Sequence, residues 1–157
     1  MLPSQLDVRR AAVTASDERT AITALRRELT DDGAKGEPVG VILFCSPTYN
    51  LERLGDEISE AFQCPVAGCT TAGQIGPRGF QPNGVVAAAL FSDAVKLHVQ
   101  ILEPLVVRGK DVSSNAFEKA ATLVKNVEHP AFGLLFADGL SLVEEYLVAG
   151  LHHALHG

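Results

Sequence analysis

The chain has no tryptophan, one methionine, two tyrosines and 6% aromatic residues over 157 positions, so any core must be built from aliphatic side chains. Positive charge is also scarce. Lysine and arginine number 13 against 19 aspartates and glutamates, and they form no run anywhere. A net charge of −6 argues against nucleic acid or an anionic membrane surface as the main partner. Cysteine is limited to Cys45, Cys64 and Cys69, an odd number that makes no disulfide framework. With no apolar signal-type segment near the start, the expectation is reduced thiols and a cytoplasmic location. Long hydrophobic runs are missing too: 85–91 and 131–137 fall far short of the roughly 20 residues that span a bilayer.

What is present is ordinary globular material, 46% hydrophobic and 20% charged. The length suits one domain. Residues 6–14 read as a first strand. Ser16 or Asp17 reads as the N-cap of a helix carrying Ile22, Leu25 and Leu29 at helical spacing as far as Thr30. The run 39–45 is continuously apolar, as in a strand covered on both faces. A helix from about Asn50 then carries Leu51, Leu54, Ile58 and Phe62 on one stripe, and 64–69 is a second short strand, giving a β-α-β unit. Residues 70–84 hold six glycines and prolines between them and read as a structured loop rather than an element. A hairpin is expected over about 84–102, turning at Ser92-Asp93, with Val95, Leu97, Val99 and Ile101 alternating against Lys96, His98 and Gln100. A helix over 113–126, a buried strand over 131–137, and a helix over 141–155 opened by a Ser141/Glu144 capping box complete the outline. The expected fold is therefore α/β: a mixed, mostly parallel sheet flanked by helices, with one hairpin, forming a single domain over 1–157.

The strand–loop–helix pattern of 41–62 returns in 134–155. In the first copy a strand follows, ending in Gly68-Cys69-Thr70-Thr71-Ala72-Gly73; in the second the sequence stops at His156-Gly157. The expectation is a domain truncated at its C-terminal end, with an exposed sheet edge that would invite a homodimer.

In sheets with helical crossovers, ligands gather beyond the carboxyl ends of strands, where loops meet helix N-termini. Three loops qualify. The first offers Cys45, Ser46 and Tyr49; the second Cys69, Thr70, Thr71, Gly73 and Gln74; the third Asp138 and Ser141. Hydroxyls, an amide, a phenol, a carboxylate and close-approach glycines suit a small polar ligand such as an amino acid. The same residues have plainer uses, Asn50 and Ser141 as helix caps and Gly68, Gly73 and Gly139 as turn glycines. Cys45 and Cys69 would be nucleophiles only beside a base, and no histidine stands at a telling spacing. A disulfide between them is open, since sequence does not place the sulfurs. His152 and His156 lie one helical turn apart with no third ligand nearby, so no metal site is assigned. One histidine suffices as a proximal haem ligand, and with no c-type attachment motif any haem would be non-covalent. The 76–79 loop lacks the ending of a phosphate-binding P-loop.

The string Val66-Ala67-Gly68-Cys69-Thr70-Thr71-Ala72-Gly73-Gln74-Ile75, followed by Gly79-Phe80, resembles the signature loop of the FIST N-terminal domain. Phe44-Cys45-Ser46-Pro47 with Tyr49-Asn50-Leu51, and Phe136-Ala137-Asp138-Gly139-Leu140-Ser141, are similar to its other landmarks, in the right order and over essentially the whole chain. The resemblance implies a sensory domain of intracellular signal transduction, not an enzyme, binding small ligands such as amino acids. It implies downstream partners such as a histidine kinase, a chemotaxis receptor or a cyclic-dinucleotide enzyme, and, for one subset, haem-based nitric-oxide sensing. It also implies a second, C-terminal FIST domain, which is absent here, and it supplies no catalytic residues. A pure protein-interaction module is the remaining alternative.

Overall fold

The computed structural model describes residues 6–31, 36–125, 127, 131–138 and 142–156, residue 156 by its backbone only. It divides into two compact units, Met1–Val99 and Gln100–Gly157.

The first unit runs β1 (Asp7–Val13), α1 (Glu18–Thr30), β2 (Gly40–Cys45), α2 (Leu51–Ala61), β3 (Val66–Thr70), β4 (Gln74–Gly76), β5 (Gly79–Gln81) and β6 (Val85–Phe91). Its main sheet has the order β1-β6-β2-β3. β6 is antiparallel to both β1 and β2, whereas β2 and β3 are parallel. Three of the four strands thus point the same way, as expected, yet only one of the three ladders is parallel, because β6 inserts between β1 and β2.

Each helix starts where a short polar side chain can accept from a free amide. The Asp17 carboxylate accepts from Thr20 N at 2.9 Å, and the Asn50 amide oxygen accepts from Arg53 N at 3.1 Å. α1 then buries Ala21, Ile22, Leu25 and Leu29, the spacing of a single face. That face meets Ala11 and Val13 of β1, Val41, Leu43 and Cys45 of β2, and Val85, Ala87, Ala89 and Phe91 of β6. α2 contributes Leu54, with Phe62 just after it, to the same core, so both helices cover one side of the sheet. The opposite side is partly covered by Leu97, which leaves no room for a side chain at Gly40, and by the β4–β5 ribbon, which brings Gly76 against Ala12 and Val86.

Two expectations for this unit are corrected. The 84–102 hairpin does not form: β6 does, but 94–102 carries no strand. Both edges of β6 are already paired, to β1 and β2, so a following segment has no edge of β6 to join, and its Leu97 lies against Gly40 on the sheet face instead while Val99 is exposed. The 70–84 segment is not only loop, since β4 and β5 pair antiparallel around Pro77-Arg78, with Gly79 at φ +99°.

The second unit contains α3 (Val112–Val124) and α4 (Glu144–His156). Asp111 caps α3 by accepting from Ser114 N at 2.8 Å. Ala116, Val143 and Leu147 form its core, and Gly150 lets α4 approach the backbone of Ala116 and Phe117. The buried Asn115 donates from Nδ2 to the carbonyls of Pro104 (2.9 Å) and Leu105 (2.7 Å), fixing the segment before the helix. The strand expected over 131–137 is absent. Phe132 is 88% exposed and Leu134 61%, and this unit offers no strand among its described residues with which the run could pair. Ser141 and Gly139 of the expected capping segment lie outside the described residues.

Candidate functional site

The register aligns Val13, Val85, Cys45 and Thr70 in one row across the sheet, at the carboxyl ends of β1, β2 and β3. Beyond that row the loops are tied to one another. Ser46 N donates to Gly84 O at 2.9 Å, and Thr71 N donates to Cys45 O at 2.9 Å. The side-chain amide of the buried Gln74 bridges three segments. In the orientation that satisfies both its ends, Oε1 accepts from Ser46 N (3.2 Å) and Thr71 Oγ1 (3.0 Å), and Nε2 donates to Gln81 O (3.2 Å). Tyr49 is buried and its hydroxyl donates to Ala15 O at 2.9 Å, binding the β2–α2 loop to the β1–α1 loop. Burial pushes its phenol pKa up. Ser46, 1% exposed, pairs its hydroxyl with Thr48 Oγ1 at 2.9 Å.

The structure therefore brings Cys45, Ser46, Tyr49, Thr70, Thr71, Gly73 and Gln74 to one end of the sheet, with different roles. Ser46, Tyr49 and Gln74 are buried and bonded to the loops they hold. Gly73 leaves the space in which the Phe80 ring lies. Cys69 and Thr70 are the exposed members. Asp138 is exposed in the second unit, and Ser141 lies outside the described residues.

Strict alternation along β2 and β3 answers the disulfide question. Cys45 is paired with Thr70 and Phe44 with Cys69, so Cys45 points to the helix-covered side and Cys69 to the other. All three cysteines are free thiols. Desolvation first, and then the neighbouring Cys69, pushes the Cys45 thiol up, and burial does the same at Cys64. A suppressed thiolate is a poor nucleophile.

Next to this end, between α2 and β3, runs an open groove of about 570 Å³. Its helix wall is Leu51, Leu54, Gly55, Ile58, Ser59 and Phe62. Its floor and far wall are Leu43, Cys45 and the whole of Val66–Thr70, with Cys64 at one end. The apolar stripe of α2 was readable from sequence spacing. Gly55, Cys64 and the β3 backbone were not recognised as site residues, because a groove is created by packing and has no local pattern. Among the described residues, no carboxylate, imidazole, ammonium or guanidinium lines it. Among the described residues, no cluster of three or more histidines, cysteines and carboxylates is placed to hold a metal. His98, His152 and His153 are exposed and outside the groove, so the residues lining it do not fit a haem with an axial histidine.

The strand-end loops and one end of the groove thus meet at the carboxyl ends of β2 and β3 in a mixed α/β sheet. Residues 40–157 match the FIST N domain, and the chain belongs to that family, a sensory family of signal transduction and not a catalytic one. The match starts at β2 and takes in all the landmark segments, but β1 and α1 lie outside it, so it covers 40–157 rather than essentially the whole chain, although β1 completes the sheet. No curated protein and no solved structure is matched. Among the described residues no helix is long and apolar enough to cross a membrane.

Proposed function

We propose that this FIST N domain is a sensory input domain whose small ligand sits at the loop end of the α2–β3 groove, beside Cys45, Thr70 and the backbone of Cys69. The observation that carries this reading is the groove of about 570 Å³ opening onto the hydrogen-bonded loops of Ser46, Thr71 and Gln74. A cleft of roughly 300–1,000 Å³ is the usual size for a small-molecule site. A ligand wedged at Thr70 acts directly on the Thr71–Cys45 and Gln74–Ser46 bonds, which gives binding a route to the β4–β5 ribbon and to a downstream signalling protein.

An amino acid is the first ligand class to test. With an uncharged lining, its side chain would enter the groove while its ammonium and carboxylate stay at the open mouth. Leucine, isoleucine and phenylalanine should therefore raise the unfolding temperature of the full chain, and aspartate and lysine should not. Ligand at a hundredfold excess over its dissociation constant adds about 2.7 kcal/mol. No shift with any amino acid or small apolar metabolite would overturn the reading. A haem-binding function finds no support at this groove, and a Soret band that survives gel filtration of the haem-supplied chain would be needed to revive it.

A further inference from the structure

We infer that the groove between α2 and β3 is also a strand-docking site, which takes an extended, uncharged segment of a partner protein with basic residues at its ends. This goes beyond the small-ligand reading and does not depend on it.

The two edges of the main sheet are treated differently. β1 carries Asp7, Arg9 and Arg10, and the Arg78 guanidinium donates to Ala12 O, so that edge is charged and capped. β3, the other edge, reads Val66-Ala67-Gly68-Cys69-Thr70, with no charge, no proline and no bulge. Val41 N donates to Pro65 O at 3.0 Å and Thr71 N to Cys45 O at 2.9 Å, so the odd-numbered residues of β3 turn their backbone groups toward β2. The N–H and C=O groups of Val66, Gly68 and Thr70 therefore face outward, at the spacing an added strand needs, and pair with no strand among the described residues.

The helix wall carries an independent sign. Gly55 stands in the middle of α2, where glycine costs about 1 kcal/mol relative to alanine. It is exposed, and a side chain there would meet nothing within 4 Å. No contact among the described residues requires this glycine. With Gly68 on the strand wall, it keeps the groove wide enough for a second backbone. Glu52, Asp56 and Glu60 recur every fourth residue and are exposed, an acidic row next to that of Gly55 and Ser59, although Asp56 also lines the cleft toward α1 with Arg19 and Arg53. That stripe selects basic flanks on the guest. It also disfavours a second copy of this chain paired β3 to β3, since two such helices would face each other with like charge.

The test is fluorescence anisotropy of the full chain with a labelled octapeptide of alternating valine and threonine, a lysine at each end. Saturable binding is expected. Glutamate ends should weaken it about tenfold, and N-methylation of alternate residues should abolish it. Gly55→Trp should fill the groove and lose the peptide while keeping the circular dichroism of the folded chain. Combined Glu52→Lys, Asp56→Lys and Glu60→Lys should reverse the preference for lysine ends. The inference fails if the lysine-ended peptide does not bind, if all three peptides bind alike, or if the charge-reversed protein keeps its preference. It also fails if sedimentation shows a dimer that Gly55→Trp dissociates while no peptide binds, because the occupant is then a second copy. Failure of the amino-acid panel would leave these outcomes standing.

Discussion

At the scale of single residues, the side chains that look most like ligand contacts in the sequence turn out to hold the loops that make the site. Tyr49 is the clearest case. Its phenol sits over the core and its one hydrogen bond, to Ala15 O, joins two strand-end loops. Tyr49→Phe leaves the carbonyl short of a donor and should lower stability by about 1–2 kcal/mol, read from urea unfolding at unchanged slope. A Tyr49 that instead contacted ligand alone would leave the midpoint unmoved. The cysteines make a second residue-scale case. Cys69 is exposed, whereas Cys45 is buried with its thiol pushed up by desolvation. Iodoacetamide at neutral pH should label Cys69 well before Cys45, as read by peptide mass mapping. Mild oxidation should give no Cys45–Cys69 disulfide, because the two side chains leave the sheet on opposite sides.

At the scale of elements, helix ends follow local chemistry and can be checked by pH. The backbone amide of Thr20 bonds the Asp17 carboxylate and holds it below its ordinary value of 3.8. A carboxyl lowered by folding supports the folded state when ionised. That support is present above the unfolded value and is lost as pH falls through the folded one. Asp17→Asn keeps a capping oxygen but not the charge, so the gap in urea midpoint between the two proteins should be present at neutral pH and close below about pH 3.8. A gap independent of pH would remove the charge from the account. Gly55→Ala makes the opposite kind of change. With open space around its side chain it should stabilise by about 0.5–1 kcal/mol, unlike the same change at Gly68, whose side chain would run into the Leu43 backbone. The same locality explains what could be read from sequence. β1, α1, β2, α2, β3, β6 and α3 are written in periodicity and, for α1 and α2, capping residues, and they appear within a residue or two of expectation. Of the misplaced segments, 94–102 alternates like a true half-buried strand and 131–137 is as apolar as a true buried one. Whether such a segment pairs depends on a free edge elsewhere, and β6 had none to give. Ser46 and Gln74 were likewise found as polar loop residues, but their mutual bond across 28 positions has no trace in local sequence.

At the scale of the whole molecule, the two units are held by cores of very different size. Among the described residues the first buries two helix faces and three strands, from Ala11 to Phe91. The second is centred on Ala116, Val143 and Leu147, with Leu102, Leu105 and Val112 packed alongside. Hydrophobic stabilisation scales with apolar area removed from water, so the two units should not open at the same free energy. Amides of β2 and β6, each paired on both edges, should exchange with deuterium slowest, while those of α3 and α4 should exchange through a lower-energy opening. Urea should accordingly release helical signal from α3 and α4 before the Tyr49 hydroxyl contact is lost, giving two non-coincident transitions by circular dichroism and tyrosine fluorescence of a Tyr146→Phe protein. That substitution leaves Tyr49 as the chain's only tyrosine reporter. Coincident curves would mean that the two units unfold as one cooperative body despite their unequal cores. Two steps would mean that the unit carrying the groove keeps its shape while the helical unit opens, the separation a sensory domain needs if one part is to hold the signal steady while another responds.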